Sequence, residues 1–287
     1  MKDVQYFAPA TMKEALKLLG THGRRIRVLA GGTDLVRNMN LEFIIPDNIL
    51  WIGKLGLEYV KSQEGMLHIG AATRMQTASR SKAIQEKAAA LAQAAGKMAA
   101  PPVRSLATLG GNICNASPAG DTICAMIGLG AEVVLTSSRG KRILPLEKVF
   151  SGPGKTVLKP GEMLTEIRIR PTGKGEGSAY AKVGRRQALT LAVLNAAARV
   201  KLDAKGNCAD VRIAVGAAAP KPVRAVKAEA VLRGKPFTRE AVARAAEVAV
   251  TETRPIDDVH GTAWYRRKLT RILVGRVLAR AGGLEGG

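Results

Sequence analysis

The chain is poor in cysteine and in aromatic residues, and it contains no long apolar run. Its 287 residues include three cysteines, and aromatic side chains make up 3% of the sequence. Cys114, Cys124 and Cys208 match neither the number nor the spacing of cysteines in zinc or iron–sulfur sites. Proteins that stack nucleic-acid bases usually present more aromatic surface. No apolar run is long enough to cross a bilayer, so a transmembrane segment is not expected.

Features of a secreted protein are also missing. An odd number of cysteines without a secretory signal favours reduced thiols. The amino terminus, Met1–Gln5, has no apolar signal core. The sequence therefore predicts a cytoplasmic protein. The three histidines, His22, His68 and His260, are not paired as catalytic bases are, and no residue is predicted to be catalytic or to bind a metal.

Acidic residues are scarce relative to basic ones. The chain has 45 Lys and Arg against 23 Asp and Glu, a formal net charge of +22. The excess is spread along the chain, because residues 1–172 carry 23 basic and 13 acidic side chains and residues 173–287 carry 22 and 10. A basic surface favours anionic partners such as phosphates, nucleic acid or acidic proteins. A merely solvated surface, common where a whole proteome is basic, explains the charge equally well.

The length and the 46% hydrophobic content predict a globular chain of two domains. The best boundary is Pro171–Gly177, which is rich in Gly and Pro and has no apolar periodicity. We therefore expect a first domain over residues 1–172, with subdomains of about 1–55 and 56–172, and a second over residues 177–282.

Three helices are predicted near the segments that carry chemistry. An alanine-rich stretch from Lys82 to about Met98 predicts one helix, which ends before Pro101–Pro102. A short helix is expected from Asp121 to Leu129, with the aspartate as its cap. In the last helix, about Thr262–Ala281, the periodicity places Tyr265, Leu269, Ile272, Leu273 and Val277 on one face, with Arg266 largely elsewhere.

The first segment that can bind a ligand is Leu29–Leu35, which contains Gly31-Gly32-Thr33-Asp34 after a predicted buried strand, Arg27–Ala30. Glycine allows positive φ and lets backbone N–H groups approach an anion closely. Successive exposed amides form a concave nest for a phosphate, and Thr33 adds a hydroxyl donor. Taken alone, a turn between a strand and two glycines is common, and a turn without a ligand is the favoured interpretation.

The second segment is Thr108-Leu109-Gly110-Gly111-Asn112, followed by Ser117–Asp121. Amides and small hydroxyls cluster here again, and the Asn112 side chain can both donate and accept. Asp121 can accept a hydrogen bond from a ribose hydroxyl or an amine, or it can serve only as a helix cap. Neither segment has the Rossmann or Walker A pattern. Two anion-binding loops about 75 residues apart suggest one extended ligand with a pyrophosphate, such as a dinucleotide.

Together these motifs resemble, in the same order, those of the medium, FAD-binding subunits of the xanthine dehydrogenase and carbon monoxide dehydrogenase family. The similarity continues through Tyr180-Ala181-Lys182, Val215–Ala225 and Tyr265–Leu269, and so covers nearly the whole chain. It implies an α+β fold: a two-subdomain FAD-binding domain of the vanillyl-alcohol-oxidase (PCMH) type, followed by a smaller α+β domain of the carbon monoxide dehydrogenase flavoprotein type.

The resemblance also implies which residues bind FAD. The first loop and Asn112 hold the diphosphate, and Asp121 contacts the ribose or ribityl side. Leu164 packs near the adenine or the flavin, and Lys182 lies near the flavin ring, although an ordinary ion pair is an alternative for this lysine. Tyr180 packs against the ring or is simply a core tyrosine. The residues predicted to bind FAD are Leu29, Ala30, Gly31, Gly32, Thr33, Asp34, Leu35, Thr108, Gly110, Gly111, Asn112, Cys114, Gly120, Asp121, Leu164, Tyr180 and Lys182.

The implied function is electron transfer within a molybdenum hydroxylase complex. Some relatives carry a cysteine-rich insertion for an extra cluster, and single-chain relatives contain ferredoxin-like and molybdopterin domains; this chain has neither. The expected partners are an iron–sulfur subunit, a molybdopterin-binding large subunit and a small-molecule electron acceptor, in a dimer of heterotrimers and without nucleic acid. Two alternatives stay open: a stand-alone FAD-dependent reductase of the same fold, and a basic nucleic-acid-binding protein, which leaves both glycine loops unexplained.

Overall fold

A computed structural model of the protein describes residues 4–186 and 189–284. Met1–Asp3 lie outside the described residues. They belong to the first predicted domain and to the amino terminus, which was found above to have no apolar signal core. The elements up to residue 172 are β1 Gln5–Phe7, α1 Met12–His22, β2 Ile26–Leu29, α2 Leu35–Asn40, β3 Asn48–Trp51, β4 Val60–Gln63, β5 Met66–Gly70, α3 Met75–Arg80, α4 Lys82–Lys87, α5 Ala89–Lys97, α6 Pro101–Arg104, α7 Leu109–Asn115, α8 Asp121–Gly128, β6 Glu132–Ser137, β7 Gly140–Pro145, β8 Phe150–Gly152, β9 Lys155–Thr156 and β10 Met163–Ile169. The later elements are β11 Glu176–Gly184, β12 Ala192–Leu202, β13 Cys208–Gly216, β14 Val223–Arg224, α9 Val226–Leu232, α10 Arg239–Thr251 and α11 Ala263–Ala281.

Three larger sheets and a two-stranded one, β8-β9, organise these elements. The first is parallel, in the order β1-β3-β2. The second is antiparallel, in the order β4-β5-β10-β6-β7, so that β10 returns late in the chain to lie between β5 and β6. The third is antiparallel, in the order β11-β12-β13-β14. The first two sheets and their helices surround two segments: the one between β2 and α2, and the one before α7. Both glycine loops therefore lie between these two sheets.

The third sheet is covered by helices on both faces. Strand β12 is buried over nine consecutive residues, Ala192–Val200. It contacts α8 on one side and α11 on the other. Small side chains allow this close approach, because a β-carbon added at Gly128 of α8 would lie 2.9 Å from the β-carbon of Ala197. The core beneath α8 therefore runs on from the second sheet into the third, and includes Tyr180.

The predicted helix from Lys82 to Met98 is wrong in one respect, because the chain forms two helices there, α4 and α5. Ala88, between them, has φ −152° and ψ 50°. Distant residues bind the backbone groups around the break: the Ser178 hydroxyl accepts from the Ala90 amide at 3.2 Å, and the Thr172 amide donates to the Lys87 carbonyl at 2.9 Å. Tertiary hydrogen bonds thus replace the helical ones that the composition favoured.

The buried face of α11 also differs from the predicted one. Leu269, Leu273 and Val277 are buried as expected, but Tyr265 and Ile272 are 39% and 40% exposed. The periodicity favoured an apolar stripe, yet Arg266 is 3% exposed because three protein acceptors bind its guanidinium. The helix begins at Ala263, with the Thr262 side chain as its cap. Within the described part of the chain, no helix is both long and apolar enough to cross a membrane.

Candidate functional site

The first glycine loop connects β2 to α2 and leaves its backbone amides open. Gly32 has φ +73°, a conformation that glycine adopts without strain. Within the described part of the chain, no protein acceptor binds the amide N–H groups of Gly31, Gly32, Thr33 or Asp34. Four consecutive unpaired amides form the kind of nest that binds a phosphate. The structure therefore leaves four consecutive amides of this loop available to an acceptor, as binding to an anion requires.

A close backbone contact joins this loop to the segment before the second one. A β-carbon built on Gly31 would lie 1.8 Å from the carbonyl oxygen of Leu106, so the two chains touch where glycine has no side chain. Gly110, on the second loop, is similarly close to Ala71. A β-carbon added at Gly110 would lie 2.7 Å from the Ala71 carbonyl oxygen. These glycines bring both loops to one cleft.

The second loop differs from the predicted anion nest. It is the first turn of α7, and protein acceptors already bind its amides. The Leu109 amide donates to the Thr73 carbonyl at 2.9 Å, and the Gly110 amide donates to the Ala71 carbonyl at 2.8 Å. The Thr108 hydroxyl accepts from the Gly111 amide at 3.0 Å as the helix cap. The prediction of a second set of free amides is therefore wrong, and this loop can offer a ligand side chains rather than amides.

The Asn112 side chain is a polar group that α7 offers to the cleft. Its Oδ1 accepts from the Thr122 hydroxyl at 2.8 Å, which orients the amide. No acceptor binds its Nδ2 among the described residues. Asn112 can therefore donate one or two hydrogen bonds to an oxygen in the cleft.

The cleft between the two loops encloses about 1050 Å³, counted with its open mouth. The predicted residues that line it are Ala30, Gly31, Gly32, Thr33, Asp34, Leu35, Thr108, Gly110, Gly111, Asn112, Cys114 and Leu164. The residues that sequence reasoning missed are Val28, Asn38, Ile44, Ile52, Ala71, Met98, Ala107, Asn115, Leu158, Glu162 and Met163.

No local motif identifies most of the missed residues. Leu158, Glu162 and Met163 reach the cleft because β10 inserts between β5 and β6, which is a long-range event. Asn38 is the exception, because it lies one helical turn after Asp34 on α2 and local spacing places it on the same face.

Two carboxylate side chains, those of Asp34 and Glu162, line the cleft. Their surroundings shift their pKa values in opposite directions. Arg142 donates to both oxygens of Glu162 at 2.7 Å. These hydrogen bonds hold the pKa of Glu162 below its usual range. Desolvation raises the pKa of Asp34, and the charge of Arg37 partly offsets that effect. The negative charge of Glu162 is thus neutralised by Arg142, and the Asp34 amide, rather than its carboxyl group, is the feature that suits an anion.

Five predicted residues lie outside the cleft lining: Leu29, Gly120, Asp121, Tyr180 and Lys182. Three of them form a buried hydrogen-bonded group. Asp121 Oδ1 accepts from the Tyr180 hydroxyl at 2.5 Å, and Asp121 Oδ2 accepts from Lys182 Nζ at 2.7 Å. Asn195 Nδ2 also donates to Oδ1, at 3.2 Å. Lys182 thus forms an ion pair, and Tyr180 is a core tyrosine that is 1% exposed.

The prediction that Asp121 caps α8 is wrong. Gly120 is the capping residue and Asp121 is the first residue of the helix, with no capping hydrogen bond from its side chain. The carboxylate instead accepts from β11 and β12. Burial, followed by the charge of Asp121, raises the pKa of Tyr180 well above its usual value, so the phenol stays protonated and donates. The group ties α8 to the third sheet.

Comparison with known families identifies the cofactor of the chain. Residues 2–172 match the family model described as the FAD binding domain in molybdopterin dehydrogenase. The chain belongs to this FAD-binding family. In this flavoprotein chain, residues 178–281 match the model of the carbon monoxide dehydrogenase flavoprotein C-terminal domain. The predicted family, the α+β fold of an FAD-binding domain followed by a C-terminal domain, and FAD as cofactor are confirmed.

Curated relatives of the flavoprotein chain are subunits of dehydrogenases. It is 36% identical over 245 residues to the nicotinate dehydrogenase FAD-subunit of Eubacterium barkeri, which covers 84% of the chain and 83% of the relative. It is 33% identical over 279 residues to the carbon monoxide dehydrogenase medium chain of Hydrogenophaga pseudoflava, with 96% of each covered. The chain is therefore an oxidoreductase subunit.

Solved structures agree over nearly the full length. The flavoprotein chain matches a chain of carbon monoxide dehydrogenase from Hydrogenophaga pseudoflava with a TM-score of 0.93 and 33% identity, covering 98% of this chain and 97% of that one. A chain of quinoline 2-oxidoreductase from Pseudomonas putida 86 matches with a TM-score of 0.90 and 26% identity, over 98% and 97% of the two chains.

The cleft fits FAD on its own geometry. The free amides of Gly31–Asp34 match a diphosphate, and Asn112 can donate to it from the facing helix. Leu158, Met163 and Leu164 give an apolar wall that suits a ring. These features suit a dinucleotide such as FAD, the cofactor in the name of the family.

Proposed function

We propose that this chain is the electron-transfer subunit of a molybdenum hydroxylase complex. In this role it receives electrons from an iron–sulfur subunit, which a molybdopterin-binding large subunit reduces, and it delivers them to a small-molecule acceptor. Bound FAD supplies the capacity to take up electrons singly and to release them in pairs. The protein contributes binding, orientation and the surrounding charge.

One observation carries the proposal: the cleft offers a nest for a dinucleotide but little acid–base machinery. Asp34, Cys114 and Glu162 are the titratable residues among the described ones that line it. Arg142 occupies both oxygens of Glu162, and among the described residues no hydrogen bond joins the Cys114 thiol to a base. An enzyme that activates its own substrate needs a base or nucleophile within reach. This cleft suits a chain that holds a redox cofactor and passes electrons.

The relatives support the complex context, because their names describe FAD subunits and medium chains. The three cysteines of this chain are one fewer than a four-cysteine cluster needs. Iron–sulfur clusters that feed the flavin therefore belong to another chain in the proposed complex.

The binding roles within the cleft are part of the proposal. The amides of Gly31–Asp34 and the Asn112 side chain hold the diphosphate, and Leu164 packs against a ring. Asp121 and Lys182 are proposed to lie beside the ribityl side and the flavin ring, although their observed hydrogen bonds are to each other and to the third sheet. Residues 1–172 and 177–282 are proposed as the two domains, and a dimer of heterotrimers in the cytoplasm as the assembly.

The test is to purify the native complex and the isolated chain and to add candidate substrates to both. We expect the complex to contain iron and molybdenum, and we expect substrate to bleach the flavin absorption band in the complex alone. Turnover of a substrate by the isolated chain would instead identify a stand-alone reductase. Heat release followed by chromatography checks that the flavin is FAD; release of FMN alone would contradict the site.

A further inference from the structure

A buried threonine of α8 is hydrogen-bonded to the side chain of Asn112. Thr122 is 0% exposed, and its hydroxyl donates to Asn112 Oδ1 at 2.8 Å. Asn112 belongs to α7 and lines the cleft, whereas Thr122 belongs to the next helix and is not among the described residues of the cleft lining. The hydrogen bond therefore joins a residue behind the wall of the cleft to one that forms it.

The Thr122 hydroxyl allows the Asn112 amide only one favourable orientation. Among residues 4–186 and 189–284, Asn112 Oδ1 is the single acceptor that this hydroxyl binds. If the amide turned over, its NH2 group would face the hydroxyl, and the hydroxyl proton would be buried without an acceptor. A buried donor without a partner costs the desolvation of that donor. The favoured orientation keeps Oδ1 toward α8 and leaves Nδ2 for other partners.

The orientation of the amide determines what Asn112 offers to a ligand. Nδ2 is a donor, and no protein acceptor binds it in the described part of the chain, whereas Oδ1 can only accept. The amides of Gly31–Asp34 in the first loop are unpaired donors as well. With Nδ2 free, both loops offer donors to the cleft, which suits an anion. With the amide reversed, an oxygen would be presented to that anion instead.

The third sheet holds Thr122 in place through the preceding residue. The Asp121 carboxylate accepts from the Tyr180 hydroxyl at 2.5 Å and from Lys182 Nζ at 2.7 Å. Both donors lie on β11, so this strand fixes the first turn of α8. A binding side chain keeps one geometry when the residue behind it is itself held by packing and hydrogen bonds. The Thr122 hydroxyl meets this requirement.

We propose that Thr122 is a positioning residue for FAD, and that its hydroxyl holds the Asn112 amide with Nδ2 toward the diphosphate. The inference rests on the proposed role of Asn112 in binding the diphosphate. Thr122 acts through Asn112 and not by contact with the cofactor. If the hydrogen bond only joined α7 to α8, its loss would lower the stability of the protein and leave the FAD affinity of the folded protein unchanged.

The experiment is a flavin titration of the apoprotein, using the full chain with Thr122→Val or Thr122→Ser. Valine keeps the branched shape and removes the hydroxyl, whereas serine keeps the hydroxyl and removes the methyl group. We expect Thr122→Val to raise the Kd for FAD by roughly tenfold, as for loss of one hydrogen bond to a charged group. Thr122→Ser should keep the wild-type Kd, although its urea stability falls because a buried methyl group is lost. Equal Kd values in both variants overturn the proposal.

A second pair of variants keeps the test valid if Thr122→Val does not fold. Thr122→Ala and Thr122→Ser both lack the methyl group and differ in the hydroxyl alone. A Kd that is about tenfold higher for alanine than for serine supports the proposal, and equal values overturn it.

Thr270→Val is the matched control. Thr270 is also 0% exposed, and its hydroxyl donates to the Arg266 carbonyl at 2.8 Å within α11. Thr270 does not belong to the described lining of the cleft, so this variant should keep the wild-type Kd. A rise as large as that in Thr122→Val would overturn the proposal, because loss of any buried hydroxyl would then weaken FAD binding.

A double-mutant cycle shows whether Thr122 acts through Asn112. In an Asn112→Ala background, Thr122→Val should not raise the Kd further, because the amide that it positions is gone. A further rise overturns the proposal, since the two residues would then act independently. A raised Kd in Asn112→Ala beside a normal Kd in Thr122→Val overturns the positioning role alone. An unchanged Kd in Asn112→Ala overturns the proposed diphosphate contact of Asn112, and the inference with it.

Discussion

Gly31 lies against Leu106 so closely that a β-carbon on Gly31 would be 1.8 Å from the Leu106 carbonyl oxygen. This contact holds the amide nest beside α7. The absence of a side chain at Gly31 is therefore a packing requirement, whereas Gly32 is required for its positive φ. The two adjacent glycines have different physical roles, and substitutions can separate them.

Gly31→Ala is expected to destabilise the fold itself. The added methyl group overlaps backbone atoms that cannot move aside easily, and we expect a loss of about 3 kcal/mol, at the upper end of ordinary overpacking. Gly20→Ala in α1 is the control, because nothing lies within 4 Å of a β-carbon there and alanine favours helix. Urea unfolding of the two variants measures the difference. Equal stability would show that the Leu106 contact is not as close as described.

Gly32→Val is expected to weaken FAD binding far more than it weakens folding. A β-branched residue resists φ +73°, and relief of that strain rotates the peptide planes whose amides form the nest. Gly206→Val is the control, since Gly206 has φ +78° in the turn between β12 and β13, with open space around it. Both substitutions should cost about 1–2 kcal/mol of stability. Flavin titration should show loss of affinity at position 32 alone; similar affinities would exclude the nest as the diphosphate site.

Gly111→Val should reduce FAD occupancy for a different reason. Gly111 has no positive φ, but its β-carbon would lie 2.8 Å from the Thr108 hydroxyl oxygen that caps α7. The valine therefore disturbs the cap and crowds the cleft, and loss of such a cap costs about 1 kcal/mol. Thr108→Ala removes the cap without filling the cleft and serves as the control. If the two variants bind FAD equally well, crowding at Gly111 is unimportant.

Lys182→Met separates an ion pair from a role beside the flavin. Lys182 and Asp121 are 6% and 7% exposed, so removing the lysine leaves a buried carboxylate without its cation, at a cost of about 3–5 kcal/mol. Arg271→Met breaks the exposed Arg271–Glu247 pair and should cost less than about 1 kcal/mol. Urea unfolding measures stability, and spectroelectrochemistry measures the flavin potential. A changed potential with unchanged stability would favour contact with the ring over the structural pair.

The Glu176 carboxylate is expected to make stability depend on pH in the acid range. Burial acts to raise its pKa, but hydrogen bonds from Arg199 and Arg170 lower the pKa to about 2. The folded-state pKa lies below the unfolded value of about 4.3. This group therefore stabilises the fold above about pH 4.3 by roughly 3 kcal/mol, and the contribution is lost as the pH falls from there toward 2.

Glu176→Gln should flatten that acid dependence, even though it leaves Arg199 without its anion and lowers stability at neutral pH. Unfolding by urea at several pH values between 7 and 3 gives the slopes. Glu247→Gln, in an exposed pair, is the matched control and should keep the wild-type slope. An unchanged slope in Glu176→Gln would assign the acid sensitivity to other carboxylates.

Local sequence determined the glycine loop, most of the strands and helices, and the family. Gly31-Gly32-Thr33-Asp34 predicts an anion cradle because the conformational freedom of glycine and the presence of backbone N–H donors are properties of the residues themselves. The motifs in order identified an FAD-binding chain, and the family comparison confirmed this. The Thr262 cap binds an amide three residues away, so short-range chemistry was sufficient to place the start of the last helix.

Tertiary structure decided which groups remained available to a ligand. The amides of the second loop donate to Ala71 and Thr73, and Asp121 accepts from Tyr180 and Lys182, about 60 positions along the chain. Arg266 is buried on α11 by acceptors from other segments. A hydrogen-bonding group forms its bond with whichever partner the fold brings near. No periodic pattern in the sequence indicates which partner that is. The sequence determined what each residue can bind; only the packing of distant segments decided what it does bind.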